Sequence, residues 1–269
     1  MYIKDQINQA IRNVQNKDKK FGTISSLFEY IKKVERSRMD IENKINIAIE
    51  SEGISLNEQN EKIDYIPVFR GHSRTTYVLK PSIGREGYSK DLEKQIFLEF
   101  KKQYHRYTQE KPQNDMEVLF LAQHYGLPTR LLDWTYNPLA ALFFACKNNN
   151  EKEKESDGRV YIKMVGNVLR DHTEENEGEK MPETLDKIID YKKYTPIIPD
   201  YTNIRYLNQQ SMFFICDPTE EEKGGYITIK KGAKKKILED LAVCGIDEKF
   251  IYPGLEGLSQ SIKAKYLSK

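Results

Sequence analysis

Gln123-His-Tyr-Gly-Leu-Pro-Thr-Arg-Leu-Leu-Asp-Trp-Thr-Tyr-Asn-Pro-Leu-Ala-Ala-Leu-Phe-Phe-Ala145 holds a helix end, an extended segment and a helix start in one unbroken run. Gly126 and Pro128 stop the helix predicted over Met116 to Tyr125, because glycine takes up the turn and proline cannot continue the hydrogen-bond ladder. Thr129 to Trp134 reads as a strand. Pro138 then opens an apolar helix to Lys147, since its fixed φ and missing N–H suit a first helical turn.

Outward from this block, Ile63 to Phe69 is an apolar strand that delivers Arg70 and is ended by Gly71. Asp91 to Thr108 is a helix with Leu92, Ile96, Phe100 and Tyr104 on one face. Strands are predicted at Arg159–Met164, Ser211–Cys216 and Tyr226–Ile229, and a helix at Lys234–Val243 closed by Gly245. Residues 1 to 50 read as helical. Ile3, Ile7, Ile11 and Val14 share one face, a break follows at Phe21 with a cap at Ser25, and Leu27, Ile31, Val34 and Met39 resume the pattern. These helices either pack on the domain or form a partner-binding arm. The pattern specifies an α+β fold, a central and mostly antiparallel sheet with flanking helices. Residues 1–24 form an N-terminal helical extension and 25–269 a single domain.

The 269 residues suffice for one sizeable core, and 17 Tyr and 11 Phe supply apolar area that a disordered chain would lack. The net charge of +2 neither demands nor excludes nucleic acid. Cys146, Cys216 and Cys244 form no CxxC pair and read as reduced thiols. With no signal peptide and no apolar run of membrane-spanning length, a cytoplasmic protein is expected. There is no P-loop, no strand–GxGxxG–helix, no HExxH and no GxSxG, and the histidines His72, His105, His124 and His172 are scattered, so no metal site is predicted.

Three segments place polar residues where a core would not. In Phe69-Arg70-Gly71-His72-Ser73, the arginine projects from a strand end, and its fork suits a phosphate as well as a carboxylate partner. Gly71 would let a ligand approach the backbone, and Arg85 offers a second anion contact. In the central block, Gln123, Arg130, Asp133, Trp134 and Thr135 are candidates. Thr135 or Asn137 can cap the next helix, and Asp133 is either a site carboxylate, a cap or an ion-pair partner of Arg130. In the third segment, Gln209 and Gln210 lead into an apolar strand. The run Lys230 to Lys236 is either a solvated face or a phosphate-backbone contact.

Phe69-Arg70-Gly71, the Gln123–Ala145 block, Arg205–Phe214 and Ile251-Tyr-Pro-Gly-Leu-Glu-Gly-Leu258 together resemble the FRG domain family over about residues 25–266, known chiefly from bacterial and phage-related proteins. A more distant resemblance is to ADP-ribosyltransferases, which use an Arg or His at one strand end, a Ser/Thr-rich strand followed by a helix, and a Glu leading a later strand. That resemblance implies NAD as substrate and Arg70, Asp133 and Gln210 as catalytic residues. Phe69, Arg70, Gly71, His72, Arg85, Gln123, Arg130, Trp134 and Thr135 would line the cofactor site, Arg70 on phosphates and ribose and the aromatic face on nicotinamide. Because Gln210 stands where a glutamate is expected, either Asp133 supplies the carboxylate or the site binds a nucleotide without this chemistry. The implied setting is a toxin or phage-defence effector acting on a nucleic acid or protein acceptor, with a neutralising antitoxin as a partner and no membrane. The alternative is a non-catalytic nucleotide- or nucleic-acid-binding module.

Overall fold

The computed structural model of the chain describes residues 3–53, 65–85, 87–148, 150–166, 170–171, 182–192, 194–199 and 204–267. In chain order the elements are α1 (Ile3–Gln15), β1 (Lys19–Ile24), α2 (Leu27–Ser51), β2 (Ile66–His72), α3 (Lys90–Gln103), α4 (Asp115–His124), β3 (Leu131–Thr135), α5 (Pro138–Cys146), α6 (Glu151–Lys154) and β4 (Gly158–Val165). They continue with β5 (Arg170–Asp171), α7 (Leu185–Asp190), β6 (Thr195–Ile198), α8 (Ile204–Gln209), β7 (Ser211–Ile215), β8 (Gly225–Ile229), α9 (Lys234–Val243), α10 (Glu248–Ile251) and α11 (Leu255–Leu267). One mixed sheet of eight strands runs β1-β8-β4-β2-β3-β7-β6-β5. Its inner pairings are antiparallel, and its outermost pairs, β1 with β8 and β5 with β6, are parallel.

Side-chain alternation gives the sheet two unlike faces. On one face, Phe69, Val160, Ile162 and Ile227 pack under α2, α5 and α9, while Leu131, Phe213 and Ile215 pack under α3, α4 and α7. On the other, Val68, Leu132, Trp134, Tyr161, Met212 and Phe214 are covered by Leu79 of the segment after β2 and by Tyr194 and Tyr226. The charged and polar side chains of β2 and β4 belong to this second face.

Lys19–Ile24 is a strand of the sheet, not helix. β1 completes the sheet edge beside β8, with a register shift between Lys20 and Gly22. α1 is held by Gln15, whose amide donates to the Met164 carbonyl at 2.9 Å and accepts from the Met164 N–H at 2.6 Å. Met164 lies beyond the last β8 partner of β4, at Ile162, so the buried side chain stands in for a missing strand. The cap of α2 is Ser26, one residue after the expected Ser25, whose own N–H is taken by the Glu29 carboxylate.

α5 lies directly on β2. A Cβ built on Gly71 would stand 2.0 Å from the Ala141 carbonyl oxygen and 2.7 Å from the Ala145 nitrogen, both backbone atoms. Gly158 on β4 meets the Ala145 carbonyl in the same way, at 2.3 Å. The close approach read into Gly71 is therefore that of a helix rather than of a ligand. Gly71→Ala should push α5 off the sheet and cost about 1–3 kcal/mol or more, as overpacking of a filled core does. Urea unfolding of the variant, read as a lower midpoint at an unchanged slope, checks this.

Candidate functional site

β2 and β3 are neighbours, yet they share ladder pairing only at Phe69 and Thr135. β3 is by contrast paired along its whole length to β7, Thr135 to Ser211 and Leu131 to Ile215. Toward Gly71 on β2 and Leu131 on β3 the two strands part, and the Arg70 side chain spans the gap. Its Nη1 donates to the Asp133 backbone carbonyl, an acceptor that a ladder partner would otherwise use, and lies 3.5 Å from Asp133 Oδ2. Its Nε donates to His72 Nε2 at 3.0 Å. Nη2 has no protein acceptor among the described residues, so one edge of the guanidinium remains for an anion.

Asp133 is the exposed carboxylate of this site, with 55% of its side chain open to solvent against 14% for Arg70. Oδ2 also accepts from the Gln123 amide at 2.9 Å, and Gln123 Oε1 in turn accepts from the Thr129 hydroxyl. The end of α4 and the start of β3 thereby fix the carboxylate while Oδ1 carries no protein hydrogen bond among the described residues. Arg85 reaches the same place from the segment after β2. Burial and the positive charge of Arg70 lower its pKa, and Asp133 opposes the fall. Two guanidinium groups facing one carboxylate leave a local excess of positive charge.

His72 is buried, and both ring nitrogens are engaged. Nε2 accepts from Arg70, which leaves Nδ1 as the donor to the Tyr77 carbonyl at 3.2 Å. Burial and then the Arg70 charge hold its pKa well below the ordinary histidine range. His124, at the end of α4, is lowered to about 4, chiefly by burial and then by Arg205, against a raising effect of Asp133. Its ring meets Tyr206 edge-on with centroids 5.3 Å apart. His124, Arg205 and Tyr206 thus border the site, although the sequence pattern placed His124 only among scattered histidines and Arg205 and Tyr206 only in the segment leading to Gln210. The signal lay in position, since His124 follows Gln123 and Arg205 opens the segment before Gln210.

Several expected site residues serve the fold instead. Arg130 is fully buried and gives four hydrogen bonds, two at 2.7 Å to the Glu93 carboxylate and one each to the carbonyls of Ile189 and Tyr191. It has no free fork for a phosphate and is not the partner of Asp133. Trp134 is only 2% exposed, packed on Phe214 with the Lys163 ammonium 5.9 Å from its ring centre, so it offers no face for stacking. Phe69 belongs to the core beneath α5. The Thr135 hydroxyl donates to the Gln209 carbonyl and accepts from the Asn137 N–H, while Asn137 caps α5.

Gln210 enters β7 with φ of +47°, and its carbonyl accepts from the Tyr136 N–H at 3.0 Å. It sits at the end of the β3–β7 ladder, with an exposed side chain that makes no hydrogen bond to Arg70 or Asp133. The lysine run is not a continuous basic face. Lys231 and Lys236 are paired with Glu155 and Asp240, and Lys234 is buried, donating to the carbonyls of Ser73 and Glu153 and to Asn148 Oδ1. A cleft of about 1,040 Å³ lies elsewhere, along the apolar flank of α3 from Leu92 to Tyr104 and against Tyr125.

Residues 66–154 match the FRG domain family model, a stretch from β2 through α6 that includes Arg70, Gln123 and Asp133. The match supports the FRG family over a shorter span than residues 25–269, and it leaves β7 and Gln210 outside. No curated protein and no solved structure matches the chain.

Two outcomes follow from the buried groups. His72 stays neutral in the fold and takes up a proton more readily once unfolded, so the unfolded state binds more protons below about pH 6.5. Stability should fall as pH drops below that point, by at most about 1.4 kcal/mol per pH unit for this one proton. Urea unfolding from pH 7 to 5 should show that slope flattened in His72→Gln. Lys234→Ala should lower the melting temperature by leaving buried acceptors unpaired, at about 1–3 kcal/mol each. Lys236→Ala should leave it nearly unchanged.

Proposed function

We propose that this chain, taking the FRG match as the starting point, binds NAD where β2 and β3 part and transfers its ADP-ribose to a nucleic acid or protein acceptor. One observation carries the reading. The strand bearing Arg70, the Asp-Trp-Thr strand that runs into α5, and the strand led by Gln210 lie side by side as β2-β3-β7, with Phe69, Thr135 and Ser211 in one row. The three motifs that the resemblance to ADP-ribosyltransferases requires in this order along the chain thus sit on three consecutive strands of one sheet.

The roles follow from the free atoms. Arg70 Nη2 and the Arg85 guanidinium would hold the pyrophosphate, the planar fork of each matching two phosphate oxygens. Asp133, held through Oδ2 by Gln123 and Arg70, would turn Oδ1 toward the ribose. In the transfer, the bond between ribose C1′ and the nicotinamide nitrogen breaks and its electron pair leaves with nicotinamide. A nucleophile of the acceptor forms the new bond to C1′ and gives up its proton. Positive charge develops on the ribose between the two events, and a fixed carboxylate stabilises it without reorganising. The Gln210 amide would orient a ribose hydroxyl.

A second reading, a binding module without turnover, is favoured by the same carboxylate. Asp133 Oδ2 is already shared between Gln123 and Arg70, and Gln210 brings no charge. Incubation with NAD, alone and with RNA, DNA and protein acceptors, separates the two. Nicotinamide release with label transfer is the outcome expected of the enzyme, and saturable binding without release is that of the module. Asp133→Asn should reduce release by about 10²–10³-fold with the affinity for NAD and the melting temperature little changed. Arg70→Ala should weaken both binding and turnover. Full activity in folded Asp133→Asn protein removes Asp133 from the mechanism.

A further inference from the structure

We infer that His72 is the positioning residue of Arg70. In its neutral Nδ1–H form, it fixes the plane of the guanidinium across the gap between β2 and β3. This assignment deepens the anion-binding reading of the site and rests on it, since it concerns how the anchor is held.

The argument begins with the freedom an arginine normally has. Its side chain has several rotatable bonds, and a solvated arginine loses considerable entropy when a ligand orders it. Arg70 is ordered in advance at two points that are not collinear, Nε on His72 and Nη1 on the Asp133 carbonyl. Two such points determine a planar group, so Nη2 has a single direction. A bond to the Asp133 carbonyl alone would let the group pivot.

His72 is itself unable to turn. It is 5% exposed, its Nδ1 donates to the Tyr77 carbonyl, and its ring meets Tyr161 edge-on with centroids 5.2 Å apart. The segment after β2 therefore sets the ring, and the ring sets the arginine. Position i+2 on a strand returns to the same face, so Phe69-Arg70-Gly71-His72-Ser73 places anchor and brace together, with Gly71 between them facing α5.

The arrangement tolerates only one protonation state. Arg70 Nε is always a donor, so His72 Nε2 has to present a lone pair. The charged groups acting on the ring are Arg70 on its own strand, Arg159 on β4 and Arg85 from the following segment, all cations, while Tyr77 and Tyr161 flank it. A second proton on the ring would set an imidazolium 3.0 Å from a guanidinium. The brace would fail and the ring or the arginine would swing away. Acid thus releases Arg70 from its ligand-binding direction.

Two near-isosteric replacements divide the ring's functions. Glutamine can place its carbonyl oxygen near the Nε2 position and still accept from Arg70. Asparagine can place its amide nitrogen near Nδ1 and still donate to Tyr77, but it cannot reach Arg70. The first measurement needs no ligand. Long-range ¹H–¹⁵N spectra of the full chain should show His72 as the Nδ1–H tautomer, and the Arg70 Nε–Hε signal should persist at neutral pH, shielded from solvent exchange. That signal should survive in His72→Gln and vanish in His72→Asn at matched melting temperatures, and in wild type it should vanish on acidification together with protonation of His72. The second measurement is NAD affinity, expected to fall about tenfold or more in His72→Asn and to stay within a few-fold in His72→Gln. An Nε2–H tautomer, an Arg70 signal that persists in His72→Asn, or retention by Asn with loss in Gln overturns the assignment. Wild-type protein that binds no NAD defeats the proposed function alone, and the spectra still decide the brace.

Discussion

Backbone meets backbone where α5 crosses β2, and the rest of the architecture is arranged around that contact. Gly71 and Gly158 carry no side chain toward the helix, so Ala141 and Ala145 come within a distance that any Cβ would forbid. The helix is therefore pinned to the adjacent strands β2 and β4. Because α5 leaves β3 after only a short turn capped by Asn137, pinning the helix also fixes the end of β3. Arg70 then has a rigid strand on each side of it. The site depends on this rigidity, since two strands that were free to slide could not hold a guanidinium between them in one orientation.

Two arginines in the same region show how context divides one chemistry. Arg130 has its charge matched by Glu93 and its remaining N–H groups by carbonyls, which makes it a buried tie between β3, α3 and the end of α7. Such a group is costly to disturb and has nothing left to offer a ligand. Among the described residues Arg70 is held by one carbonyl, one imidazole and a distant carboxylate oxygen, and its Nη2 has no acceptor there. The unfinished coordination is what distinguishes a site from a brace.

Much of the central architecture was legible because its signals are local. Glycine and proline punctuate the Gln123–Ala145 block, and the strands at β2, β3, β4, β7 and β8 announce themselves as apolar runs. β1 was hidden because Lys19 and Lys20 open it and it lies at a sheet edge, where polar residues are tolerated. β6 was hidden by Pro196, which argues against a strand unless its missing N–H faces away from a partner. Most of residues 51–62 and half of residues 169–190 lie outside the described residues. The burial of Arg130, Trp134 and Lys234 could not be read at all, because their partners, Glu93 and Ser73 among them, lie tens of residues or more away. Charged side chains are expected outside unless paired, and a pairing at that range leaves no trace in spacing.

Gln210 is the described non-glycine residue whose backbone sits at positive φ, and that has a bearing on how the chain can vary. A left-handed backbone discriminates at Cβ, rejecting branched side chains most strongly and asking little of what lies beyond. Glutamine and glutamate share the same unbranched stem, and their codons differ by a single base. A lineage carrying this fold can therefore gain or lose a negative charge at the head of β7 in one mutational step without rebuilding the turn that Tyr136 closes. Charge at this position is evolutionarily cheap to alter, whereas Gly71 beneath α5 is not.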